Sequence, residues 1–124
     1  MKKKISIILV VILCLGLCAC GSKGSSIPKD MAESTYNIGI QALNLIDEYL
    51  SGNETTAKTQ EIISELCDRV QELKPSEEFV GKYYDVAIEL TKINITLLNI
   101  RLGTEKASSL KENRDNLAEL LEKK

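Results

Sequence analysis

From Pro28 onward the sequence predicts an all-α fold, a small antiparallel up-down four-helix bundle over residues 30–124. Three observations predict it. No stretch in this region alternates apolar and polar residues as a half-buried strand would. Helix-breaking clusters recur at intervals of about 20–27 residues: Ser51-Gly52-Asn53, Pro75-Ser76 and Gly103-Thr104. The joints they leave are about two to four residues long, which forces sequential helices to lie antiparallel. Helices are expected near 30–50, 54–73, 77–102 and 105–122. The competing arrangement is a three-helix bundle with a loose C-terminal helix.

The first helix carries a wide apolar arc: Met31, Tyr36, Ile38, Ile40, Ala42, Leu43, Leu45, Ile46, Tyr49 and Leu50. In the second, Ile62, Ile63, Leu66, Cys67, Val70 and Leu73 fall on one side of the wheel, opposite Glu61, Glu65, Asp68 and Glu72. Asn53 is its expected N-cap, with Glu54 at the positive end of the helix dipole. Ser76 is expected to cap the third helix, with Glu77 and Glu78 in its first turn. That helix is apolar from Phe79 and Val80 through Tyr83, Val86, Ala87, Leu90, Ile93, Leu97, Leu98 and Ile100, and Ile88 and Ile95 widen the arc. An arc so wide contacts two neighbours or leaves a patch for a partner. Gly103 suits the left-handed residue that ends it, and Thr104 is expected to cap the fourth helix. The fourth has a narrow stripe of Ala107, Leu110, Leu117, Leu120 and Leu121.

Ahead of this domain stands a different kind of segment. Lys2, Lys3 and Lys4 precede an apolar run from Ile5 to Leu17, closed by the small residues of Leu17-Cys18-Ala19-Cys20. A run of about 13 residues fits the apolar core of a secretory signal and falls short of the ~20 residues a spanning helix needs. The four closing residues resemble the lipobox of bacterial lipoproteins. That resemblance covers only the start of the chain, and it implies that Cys20 takes a diacylglyceryl thioether before a peptidase cuts between Ala19 and Cys20. Residues 1–19 would then be a cleaved signal peptide, 20–29 the lipidated cysteine with a flexible linker, and 30–124 the bundle. The covalent lipid on Cys20 would be the only non-protein group. Two acyl chains, at about 0.8 kcal/mol per buried CH₂, hold a protein on a membrane where one chain is marginal. Gly21 to Ser26 reads as the linker, reaching only about 13–16 Å. Gly21 and the excess of Lys over Arg lean toward a Gram-positive lipoprotein on the outer face of the cell membrane.

Composition narrows the partners. Of the 16 basic residues three leave with the leader, so 13 remain against 18 acidic ones, a net charge of −5. An acidic surface with no basic patch argues against nucleic acid and against docking on anionic lipid by charge alone. The four cysteines do not make a disulfide framework, because two lie in the leader, one is the lipid acceptor, and Cys67 stands alone.

The chain has no histidine. That excludes histidine acid–base catalysis, Ser-His and Cys-His nucleophiles and every histidine metal site, including the Glu-x-x-His pairs of di-iron bundles. No metal and no enzymatic activity is expected. Glu61, Glu65, Asp68 and Glu72 read as a solvated face, and Cys67 as a core thiol. Asn94 and Arg101 project into the apolar arc of the third helix, two turns apart. With Tyr83 they are either a polar spot in a ligand pocket or a buried amide that fixes helix register. Tyr36, Tyr49, Tyr83 and Tyr84, with Phe79, supply nearly all the aromatic surface, which fits core packing or an interface. Asn53-Glu54-Thr55 and Asn94-Ile95-Thr96 match a glycosylation triplet only by chance in a bacterial lipoprotein.

The expected role is therefore a membrane-tethered helical interaction or accessory module with a protein partner in the cell envelope. A phage or plasmid exclusion lipoprotein is one version of it. The other class is a small-ligand sensor or carrier using the bundle interior.

Overall fold

The computed structural model describes residues 27–123, so the leader, its cleavage point and Cys20 lie outside the described residues. Within them the chain is all helical: α1 (Glu33–Leu50), α2 (Thr56–Gln71), α3 (Val80–Leu102) and α4 (Leu110–Leu120). Short 3₁₀ turns, Glu77–Phe79 and Ala107–Ser109, lead directly into α3 and α4. The helix expected from 77 thus begins with a tighter turn, a common way to start an α-helix, and the one expected from 105 does so only at Ala107.

α1 packs against α2 and α4 and also meets α3, while α3 lies against both α2 and α4. This explains the wide arc of α1. Ile38, Ile40, Ala42, Leu43, Leu45 and Ile46 point in several directions around that helix, and all are buried. Every helix contributes fully covered side chains: Ile46 from α1, Ile63 and Val70 from α2, Leu90, Ile93 and Leu97 from α3, Leu110 and Leu117 from α4, and Leu121 just beyond it. Each such side chain contributes about 1.5–3 kcal/mol of transfer free energy. The fourth helix is thus part of one core with the others, and the loose-helix alternative is set aside. Ala107, expected in its stripe, is exposed in the 3₁₀ turn before α4, and Ala118, outside the expected stripe, is buried.

The helix ends depart from expectation in three places. Thr55, not Asn53, caps α2, its hydroxyl accepting from the Lys58 N–H at 3.2 Å. Asn53 is drawn back to α1, where its backbone N–H and its side chain both donate to Glu48. Ser76 makes no side-chain cap, since the turn after it is 3₁₀. Thr104 closes α3 rather than opening α4, its hydroxyl donating to the Asn99 carbonyl at 3.1 Å. Gly103 does take the left-handed conformation, with φ at 81°.

Three polar contacts stitch the helices at their rims. Arg69 Nη1 donates to Gln41 Oε1 between α2 and α1. Asn113 donates to Thr96 between α4 and α3. Arg114 grips Asp47 with Nε and Nη2, at 2.8 and 3.3 Å, between α4 and α1.

Candidate functional site

Two regions bear on function: a polar junction between α2 and α3, and the outward face of α3. The junction is organised by Gln60. Its amide nitrogen donates to Asn94 Oδ1 at 3.0 Å, and its oxygen accepts from Arg101 Nη1 at 2.7 Å. Asn94 and Arg101 are two helical turns apart, so one glutamine bridges them. The half-buried amide of Asn94 thus has a partner, and the guanidinium of Arg101 is aimed at α2 while the residue stays exposed. Tyr83 lies three turns from Asn94, about 16 Å along the helix axis, and does not join this group. It is half-buried, with its ring edge-on to Tyr84 at 5.3 Å.

Gln60 stands outside the residues expected at this site. Its signal was its place on the wheel, three residues before Ile63 and inside the apolar stripe of α2. A polar side chain there must find a partner when buried.

Cavities lie elsewhere among the described residues. An open groove of about 500 Å³ runs between α3 and α4, bordered by Lys82, Asp85, Ile88, Glu89, Lys92 and Glu119. A second sits by the end of α4 between Arg114 and Lys123. Glu89 is the chemically unusual member of the first. It is buried, and its Oε2 has no hydrogen-bond partner. Burial raises its carboxyl above the ordinary value, Lys92 pulls it down, and Glu112 adds to the rise. Cys67 is buried as a core thiol, and burial, with Asp68 beside it, pushes it up to about 11. It is not a thiolate at neutral pH. Glu61, Glu65, Asp68 and Glu72 are all exposed, as a solvated face requires. No cluster of three or more acidic, cysteine or histidine ligands that could hold a metal ion occurs among the described residues. No described helix is long and apolar enough to cross a membrane.

The outward face of α3 is the larger anomaly. Tyr84 is 58% exposed, Ile88 and Ile95 are 52% each, Leu98 is 40% and Leu102 is 76%, with Val80 beside them at 37%. Apart from Ile27, just before the bundle, these are the large apolar side chains that stand most in solvent among the described residues. Scattered exposed apolar residues mean little, but these follow one another along one face of a single helix.

No protein-family model matches the chain, and no curated protein or solved structure matches it significantly.

Proposed function

We propose that this protein is a lipid-tethered helical module on the outer face of a bacterial cell membrane, which binds another protein through the outward face of α3. Residues 1–19 are the leader, residues 20–29 the acylated Cys20 and its linker, and residues 30–124 an antiparallel up-down bundle. The pairing of Gln41 with Arg69, and of Tyr49 with Thr56 close to the α1–α2 joint, supports the antiparallel order.

The observation that carries the interaction role is the run of exposed Tyr84, Ile88, Ile95, Leu98 and Leu102 on a helix whose other side is already in the core. Apolar surface left in water adds nothing to the stability of the fold, and burying it against a partner is favourable by about 25 cal/mol per Å². The polar junction at Gln60 needs no ligand to be satisfied. With no histidine in the chain, a net negative charge and, among the described residues, only a neutral buried thiol at Cys67, it is better equipped for binding than for catalysis. An exclusion lipoprotein of a phage or plasmid would use the same anchor and the same face.

Two measurements test the reading. Cys20→Ala should leave an unprocessed precursor in the native host, and mature-sized protein from that variant would overturn the tether. A photo-crosslinking amino acid in place of Ile95 should give a covalent adduct in the envelope, whereas the same group at buried Ile93 should give none. No adduct from Ile95, Ile88 or Leu102 would overturn the interaction role.

A further inference from the structure

We propose that the outward face of α3 pairs with the same face of a second copy, forming a parallel two-stranded coiled coil between chains held on one membrane. This deepens the interaction role above and rests on it.

Tyr84, Ile88, Thr91, Ile95, Leu98 and Leu102 are all exposed, and they follow one another at spacings of 4, 3, 4, 3 and 4 residues. That is an unbroken repeat of about 3.5 residues, the period that keeps one stripe facing a single partner helix. The core stripe of the same helix, Val86, Leu90, Ile93 and Leu97, lies on the other side. α3 therefore carries two seams, one filled from within the chain and one empty.

In coiled-coil positions, Ile88, Ile95 and Leu102 fall at a, and Tyr84, Thr91 and Leu98 at d. β-Branched side chains at a suit two parallel strands. Thr91 does not interrupt the seam, because its hydroxyl donates to the Ala87 carbonyl at 2.9 Å and its methyl group is left for contact. The polar rim is occupied as well: Asn94 and Arg101 bond to Gln60, and Asn99 bonds to Glu105. The seam asks for apolar surface, not for a charged or hydrogen-bonding ligand.

The flanks choose the direction. In a parallel pair each g residue lies beside an e residue of the other chain, so Val80 meets Asp85, Ala87 meets Lys92, and Asn94 meets Asn99. No like charges face each other. Running the second helix the opposite way, with all six layers kept, sets Lys92 against the second copy's Lys92. The parallel arrangement also places both chains' N-termini at the same end, as two anchors in one membrane require. Taking roughly 200 Å² for a whole side chain of this size, the exposed fractions amount to on the order of 600 Å² per copy. A pair that covered them completely would bury up to about 1,200 Å², the low end of a specific interface.

The test uses the full-length chain. Sedimentation in mild detergent should give a dimer for wild type and a monomer for Ile95→Lys, with equal helix content by circular dichroism, because Ile95 is outside the core. In native membranes the Ile95 photo-adduct should have twice the chain's mass and contain this chain alone. Under a mild oxidant, Ile88→Cys and Leu102→Cys should each form a disulfide-linked dimer, and Lys92→Cys should not. A wild-type monomer at the highest soluble concentration overturns the pairing. So does an adduct with a different protein, which leaves the interaction role standing, whereas no adduct at all overturns both. A dimer linked best through Lys92→Cys overturns the parallel direction.

Discussion

Glu89 is a buried carboxyl that the fold leaves incompletely satisfied. It is buried between α3 and α4, one carboxylate oxygen lacks a partner, and Lys92 only partly offsets the loss of water. A raised carboxyl value means that the folded protein prefers the neutral acid. Stability from that preference is complete below the ordinary value of 4.5 and is lost as pH rises through the raised one. Glu89→Gln keeps the shape and removes the ionisation. Thermal unfolding should find the variant and wild type alike near pH 4. At pH 7 the variant should be more stable by on the order of 1 kcal/mol, the scale of an unsatisfied buried polar group. Equal stabilities at both pH values would mean that the carboxylate is hydrated in solution. Cys67 follows the same sign at higher pH: its folded state holds the thiol neutral, and that contribution is lost between about 9 and 11.

At the scale of the helices, two glycines make opposite predictions from the same substitution. Gly39 sits in α1 where a Cβ would come within 2.7 Å of Leu121 Cδ2, and Leu121 is fully buried with little room to move. Gly81 lies near the start of α3 with open space around it. Alanine is a better helix former than glycine by up to about 1 kcal/mol, while overpacking a core costs about 1–3 kcal/mol. Gly39→Ala should therefore lower the unfolding free energy by on the order of 1 kcal/mol, and Gly81→Ala should raise it by a few tenths or more. Denaturant titration of the two variants measures both. A gain at Gly39 would show that the Leu121 side chain moves aside to admit the methyl group.

The helices themselves were legible because their apolar periodicity and the Gly and Pro punctuation agreed, and the observed spans lie within the expected ones. The caps were less so. Asn53, Thr55, Ser76 and Thr104 are all acceptable cap residues, and what chose among them was competition from neighbouring backbone: Glu48 holds Asn53 at the end of α1, Asn99 holds Thr104 at the end of α3, and a 3₁₀ turn follows Ser76. On α3 the total apolar content was visible in the sequence, but its division into a buried and an exposed stripe depends on where α2 and α4 lie. Asn94 and Arg101 stand out in the apolar arc of α3, and Gln60 in that of α2, but that Gln60 bridges the other two depends on how α2 and α3 pack.

The described bundle depends on a single core, since Cys67 has no cysteine partner among the described residues and no disulfide supports it there. Leu117 and Leu121 join α4 to that core, and Arg114 ties it to Asp47 on α1 at the surface. The ion pair, with Asp47 nearly half exposed, contributes about 1 kcal/mol at most. The leucines matter more. Leu117→Ala should cost about 2–4 kcal/mol through lost burial and the cavity left behind. If the four helices share one core, the loss must appear at once throughout the fold. Helix content by far-ultraviolet dichroism and the fluorescence of the tyrosines, two of which, Tyr36 and Tyr49, lie buried in α1, should then move together to a lower midpoint. If helix content falls first while tyrosine fluorescence stays native, α4 detaches on its own, and the described residues are a three-helix core with a weakly held fourth helix.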